Sequence, residues 1–198
     1  MVETAIALVL FLFPLAYSPG PGNLFFAANG ARFGVWATLP ASLGYHLATW
    51  SVTAAIGFGF LRTLESAPVV FVMLKLAGAL YVLWIASGLL RAGVQDMDAE
   101  ARPASFRDGV MLLLLNPKAY VIIALMFTQF LSVPGVNRTL LVLGITTLFT
   151  LNNLLAFTVW TLMGARLGAV FARAGSARAL NMGFGLILGA VAVWMLLM

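Results

Sequence analysis

Hydrophobic positions in this chain run in long, nearly unbroken stretches separated by short polar turns. They fall at Thr4–Ala28, Trp36–Leu61, Val69–Leu90, Gly109–Phe130, Leu140–Leu162 and Leu180–Leu197. An α-helix needs about 20 apolar residues to cross a bilayer, so the pattern predicts an all-α integral membrane protein with six transmembrane helices. Two stretches are interrupted, one in each half of the chain: the first by Ser18-Pro19-Gly20-Pro21-Gly22-Asn23, the fourth by Asn116-Pro117-Lys118. Proline removes a backbone donor and clashes with the preceding turn, so a helix opens there. Within a membrane, opened backbone is tolerated only where protein or a water-filled cavity satisfies it. Paired interruptions in two halves are the sequence sign of a transporter binding site.

The polar stretch Arg91–Asp108 divides the chain. The expectation is a single transmembrane domain over residues 1–198, with repeat halves of about 1–92 and 106–198 joined by a cytoplasmic loop, 92–107. Arg32, Arg91, Arg102, Arg107, Arg166, Arg173 and Arg178 lie on one side of this topology, and only Arg62 and Arg138 on the other. Basic residues favour the cytoplasmic side, which puts both termini outside. Three spans per half then oblige the halves to enter from opposite faces, as inverted repeats do. Ser42, His46, Thr49, Thr53 and Gly57 share one face of the second span; Thr146, Thr150, Asn153, Trp160 and Gly164 share one face of the fifth. His46 to Asn153 and Gly57 to Gly164 are both 107 positions apart, whereas Pro21 to Pro117 is 96, so loop lengths differ between halves. Such faces also serve plain helix packing.

Composition narrows the function. Hydrophobic residues make up 63% and charged residues 9%, against about a quarter charged in soluble domains. The net charge of +5 is therefore read as loop chemistry rather than nucleic-acid binding. The absence of cysteine excludes thiol catalysis and cysteine-ligated metal, and a single histidine is too little for a metal centre or a membrane-embedded active site. No enzyme activity and no cofactor are expected. Met1-Val2-Glu3-Thr4 lacks the basic region of a signal peptide, so the first stretch is expected to remain as a helix.

Two lysines carry the sharpest chemistry. Lys75 sits mid-span, sharing a face with the small residues Gly78, Ala79, Val82 and Ala86. A charge at that depth is costly and by default functional; the alternative is donation to backbone carbonyls opened by the breaks. Lys118 follows Pro117, a residue suited to the first turn of a helix. A helix start with its positive dipole end and a lysine makes a seat for a carboxylate; the alternative is a lysine snorkelling to the interface. Asn23 and Asn116 flank the breaks, able to cap helix ends or bind ligand, and Gly20 and Gly22 permit close approach and positive φ. The acids lie at span ends or in the polar loop, so two lysines without a buried carboxylate favour an anionic group on the substrate. His46 and a desolvated Lys75 are the candidates for carrying a coupling proton.

Ser18-Pro19-Gly20-Pro21-Gly22-Asn23, Leu74-Lys75-Leu76-Ala77-Gly78-Ala79-Leu80-Tyr81 and Leu115-Asn116-Pro117-Lys118-Ala119, with Phe106-x-x-Gly109 and Gln129-Phe130, resemble the LysE/RhtB amino-acid exporters. The resemblance covers essentially the whole chain. It implies a bacterial inner-membrane protein exporting amino acids or close derivatives by proton antiport. The family's motif positions fall on Pro19, Gly20, Pro21, Gly22, Lys75, Gly78, Asn116, Pro117 and Lys118, while Thr128 stands where the family often has proline. The expected substrate-binding set is Gly20, Pro21, Gly22, Asn23, Asn116, Pro117, Lys118, Lys75 and Asn153. The expected partners are a small amino acid and the lipid bilayer. A channel-like or structural membrane subunit, or a carrier of another small carboxylate or metabolite, remains the alternative. Gly185-x-x-x-Gly189 would serve either a homodimer or packing within the chain.

Overall fold

A computed structural model describes residues 2–60, 68–94, 102–131, 136–173 and 177–197. The helices are α1 (Val2–Tyr17), α2 (Pro21–Phe33), α3 (Val35–Ala55), α4 (Pro68–Val94), α5 (Phe106–Leu114), α6 (Pro117–Phe130), α7 (Arg138–Arg173) and α8 (Ala177–Leu197). Among the described residues there is no strand. Large apolar side chains such as Leu10, Phe13, Trp84, Leu140 and Leu186 are exposed around the outside, as a lipid-facing surface requires.

Both predicted breaks are present. α1 and α2 meet at 62° across Ser18-Pro19-Gly20, and α5 and α6 meet at 62° across Leu115-Asn116. Pro21 and Pro117 open α2 and α6, where a missing N–H does no harm. Pro14 and Pro40, in contrast, lie inside α1 and α3. Each bent pair has the length and apolar character of one broken span, and α7 alone is long and apolar enough to cross a membrane over Arg138–Val170. By length and composition that makes up to three crossings among the described residues; the apolar parts of α4 and α8, Ala79–Arg91 and Arg178–Val193, are shorter.

Several boundaries differ from the sequence reading. The fifth stretch was expected to end at Leu162, but α7 runs on to Arg173. Gly164 and Gly168 do not stop it because both are packing positions. A Cβ on either would strike the backbone of Ala27 or Ala31 on α2. The basic residues assigned to loops mostly sit on helix ends instead: Arg32 in the last turn of α2, Arg91 near the end of α4, Arg107 in the first turn of α5, Arg166 and Arg173 on α7, and Arg178 on α8. Only Gly34, at φ 84°, joins α2 to α3, a left-handed conformation that favours glycine. Ser105 caps α5 reciprocally: Asp108 N–H donates to Ser105 Oγ at 3.3 Å and Ser105 N–H to Asp108 Oδ2 at 2.8 Å. Arg62, Glu65, Gln95, Asp96, Asp98 and Glu100 lie outside the described residues.

The two halves interleave. The most extensive helix pairs are α4 with α8, α2 with α7, and α3 with α5, each joining the first half to the second. On α4, Ala79, Val82 and Ala86 are buried against Leu188 and Ala192, so the small-residue face expected around Lys75 is an interhelical one. Lys75 lies on that helix, but its side chain and Gly78 fall outside the described set. Gly185 packs within the chain, against Leu90 and Ala86, whereas Gly189 faces open space.

Candidate functional site

A helix end inside a membrane leaves carbonyls that must find donors, and every carbonyl closing α1 finds one. Pro14 O accepts from Ser18 N–H at 3.1 Å and Leu15 O from Ser18 Oγ at 3.1 Å. Ala16 O accepts from Asn23 Nδ2 at 2.9 Å and Tyr17 O from Trp160 Nε1 at 3.2 Å. Ser18 O accepts from Lys118 Nζ at 3.2 Å, and the same ammonium donates to Ser18 Oγ at 2.9 Å. The first break is thus closed by side chains from α2, α6 and α7. The second is closed in part by Tyr120, whose hydroxyl donates to Leu114 O at 3.0 Å.

Lys118 therefore ties the two breaks together. Its stem crosses Gly20, where an added Cβ would lie 3.0 Å from Nζ and 3.2 Å from Cδ. Gly20 is extended, at φ −165°, so the positive φ expected of Gly20 and Gly22 is not what selects glycine. Gly20 makes room for the lysine, and Gly22 makes room for Phe157, whose ring would sit 2.6 Å from a Cβ there. Among the described residues only Gly34 and Gly59 have positive φ.

Around this tie lies a cleft lined by Ala16, Asn23, Tyr45, Lys118, Asn153 and Phe157. Pro21, Gly22 and Asn116 complete its polar and backbone wall. The cleft is narrow, and its roughly 340 Å³ of atom-free space includes the open mouth. α2 and α6 both begin at this cleft, and neither carries a side-chain cap at its start. Two positive helix ends and one lysine consequently converge on it. Asn116 was expected to cap a helix or meet a ligand. It makes no cap; its Nδ2 donates to Tyr45 Oη at 3.4 Å and its buried Oδ1 has no partner. The Tyr45 hydroxyl also faces the Asn153 side chain.

Of the expected site residues, Pro21, Gly22, Asn23, Asn116, Lys118 and Asn153 share one cleft, Gly20 abuts Lys118, and Pro117 begins α6. His46 stands just behind. Its ring is 5.5 Å from that of Phe157 and 5.3 Å from that of Tyr45; Nδ1 lies 2.7 Å from Ser42 O, and the buried ring also faces the Asn153 backbone. Sequence reading missed Ser18 as a ligand of Lys118, and Tyr45 and Phe157 as cleft walls. Helical spacing held the signal, since Tyr45 is four residues before Thr49 and Phe157 four after Asn153. No group of three His, Cys, Asp or Glu side chains converges among the described residues.

Replacing Asn23 by leucine is expected to leave Ala16 O without a donor. The loss should be about 1–3 kcal/mol, read as a lower melting temperature of the purified protein in detergent.

The family profile matching residues 13–198 is that of the LysE type translocators. The chain belongs to this family. Among similar proteins, the homoserine/homoserine lactone efflux protein of Salmonella typhi is 30% identical over 86% of this chain and 85% of its own length. An uncharacterized membrane protein of Pseudomonas aeruginosa is 31% identical over 78% of this chain and 76% of its own. The leucine efflux protein of Klebsiella pneumoniae is 32% identical over 63% of this chain and 64% of its own, just under two thirds. No solved structure matches. The leucine and homoserine relatives are named as efflux proteins, and the Pseudomonas relative is named as a membrane protein.

Proposed function

We propose that this LysE-family protein exports a small amino acid, or a close derivative, across the bacterial inner membrane by proton antiport. The observation that carries the reading is Lys118, bound across both helix breaks in a cleft that no acidic side chain lines. The relatives named for leucine and homoserine efflux support the substrate class. A substrate carboxylate would take Lys118 from Ser18 and sit at the starts of α2 and α6, where helix dipoles favour an anion. Around the first break the carbonyls are already engaged: Ser18 O is held by Lys118 and Gly20 O accepts Leu24 N–H at 3.0 Å. Asn116 Oδ1, buried and free, is the better acceptor for the ammonium, with Asn153 and the Tyr45 hydroxyl beside it. His46 and Lys75 are the proposed proton carriers.

The same reading takes α1–α2 and α5–α6 as broken first and fourth spans of a six-span inverted repeat with both termini outside. α1 has 16 residues and α5 has 9, about 24 and 14 Å at 1.5 Å per residue. Entering from opposite faces, they would bring the two breaks to within about 8 Å of each other in depth, in a hydrocarbon core about 30 Å thick.

Counterflow in vesicles of the pure protein, screened across the twenty amino acids and homoserine, is expected to show saturable exchange of a small neutral member and export that ionophores collapse. Flux that neither saturates nor responds to ionophores would mark a pore instead.

A further inference from the structure

The faces of α3 and α7 that meet between the halves carry more polar groups than packing demands. Their register is antiparallel. Trp50 Nε1 donates to Thr147 Oγ1 at 3.2 Å, the His46 ring meets Phe157, and Gly57 faces Val142. This sets His46 level with Asn153, Thr49 with Thr150, and Thr53 with Thr146. The seam begins at the cleft, which Tyr45 and Asn153 line.

Threonine in a helix commonly gives its hydroxyl to the carbonyl four residues back. Thr38, Thr49, Thr150, Thr158 and Thr161 all do so, at 2.7–2.9 Å. Thr53 and Thr146 do not. Both are 0% exposed, and neither hydroxyl has a partner. Asn152 Nδ2, on α7, is unpartnered as well. A row of idle buried donors and acceptors is costly in a tight interface, yet suits a surface that meets water or a polar solute during part of a working cycle.

One turn beyond Thr53 the seam closes. Gly57 packs so tightly against the Phe127 ring and Val142 that a Cβ there would lie 2.5 Å from one and 2.7 Å from the other. Ile56, Met126, Phe127 and Val142 belong to one apolar cluster at that level. The helix path also kinks here, at Gly59, whose φ of 121° is non-helical.

We propose that the α3–α7 seam is the outer half of the translocation path, with Thr53 and Thr146 as its polar lining and Phe127 seated on Gly57 as its outer gate. The proposal rests on the transporter reading. On the orientation given by the basic residues, the Gly57 end faces outward.

The chain contains no cysteine, so single-cysteine variants need no background removed. Thr53→Cys and Thr146→Cys in vesicles of known orientation are expected to react with a membrane-impermeant methanethiosulfonate added at the outer face, and to lose export on reaction. Leu151→Cys, on the exposed side of α7 at 55%, should stay unlabelled. Thr53→Val and Thr146→Val keep side-chain volume and remove the hydroxyl. Each is expected to slow export up to about tenfold, as for loss of one neutral hydrogen bond, with no loss of melting temperature. Unreactive cysteines, labelling from the cytoplasmic face alone, or valine variants with full export would each overturn the proposal. Labelling is read without any substrate, so a protein that moved no amino acid would refute the proposed function while the seam was still tested.

Discussion

Lys118→Met is expected to lower amino-acid export about 10- to 100-fold, the scale of a lost charge-assisted hydrogen bond of about 1.5–3 kcal/mol. Methionine keeps much of the unbranched stem that lies along Gly20 and removes only the ammonium. Two consequences follow from one deletion. The substrate carboxylate loses its single cation in the cleft, and Ser18 O and Oγ lose the donor that ties the first break to the second. Lys118→Arg should not restore export. Arginine carries a broad planar fork where lysine carries a compact point charge, and Gly20 leaves space for the narrower group alone. Counterflow by purified variants at matched protein levels is the measurement. A Lys118→Met protein that exports within twofold of the parent would place the carboxylate elsewhere.

How the site was legible in sequence, and where it was not, follows from what each residue answers to. The breaks were legible because proline lacks a donor and disturbs the preceding turn and here stands beside Gly20, Gly22 or Asn116; Pro14 and Pro40, without such neighbours, stay inside α1 and α3. Pro21 and Pro117 accordingly begin helices in the structure. Polar faces on the second and fifth stretches were visible by helical spacing, and Thr49, Thr53, Thr146 and Asn153 are buried there. The Lys118–Ser18 bond was not visible. It joins positions 100 residues apart, and only tertiary packing fixes such a pair. The role of Gly20 and Gly22 was misjudged for the same reason: their φ was a local guess, while their need is set by Lys118 and Phe157 arriving from other helices. The fifth apolar stretch was ended at Leu162, whereas α7 continues to Arg173 with Gly164 and Gly168 as interior positions pressed against α2.

That double meaning of glycine gives a second large effect, with opposite signs for one substitution. Gly109→Ala is expected to prevent stable folding, or to lower stability by about 3 kcal/mol or more, the upper end of the cost of overpacking. A Cβ at Gly109 would run into the carbonyl oxygen of Ala41 and lie 2.9 Å from the backbone nitrogen of Tyr45. Gly44, on the facing helix, meets the Phe106 carbonyl in the same way. Both obstacles are backbone, so no rotamer change relieves them and α3 and α5 must part. Parting them shifts Tyr45, which faces Asn116 and Asn153 in the cleft, and so moves the site as well. The same change at Gly88, Gly144 or Gly183 should do the reverse. These three lie within α4, α7 and α8, and an added Cβ meets nothing within 4 Å. There alanine only removes glycine's excess backbone freedom, worth up to about 1 kcal/mol in a helix interior. Melting temperatures of the four alanine variants in one detergent decide the matter. If Gly109→Ala melts with Gly88→Ala and Gly144→Ala, the α3–α5 contact is looser than the structure places it, and the cleft it supports would not depend on that contact.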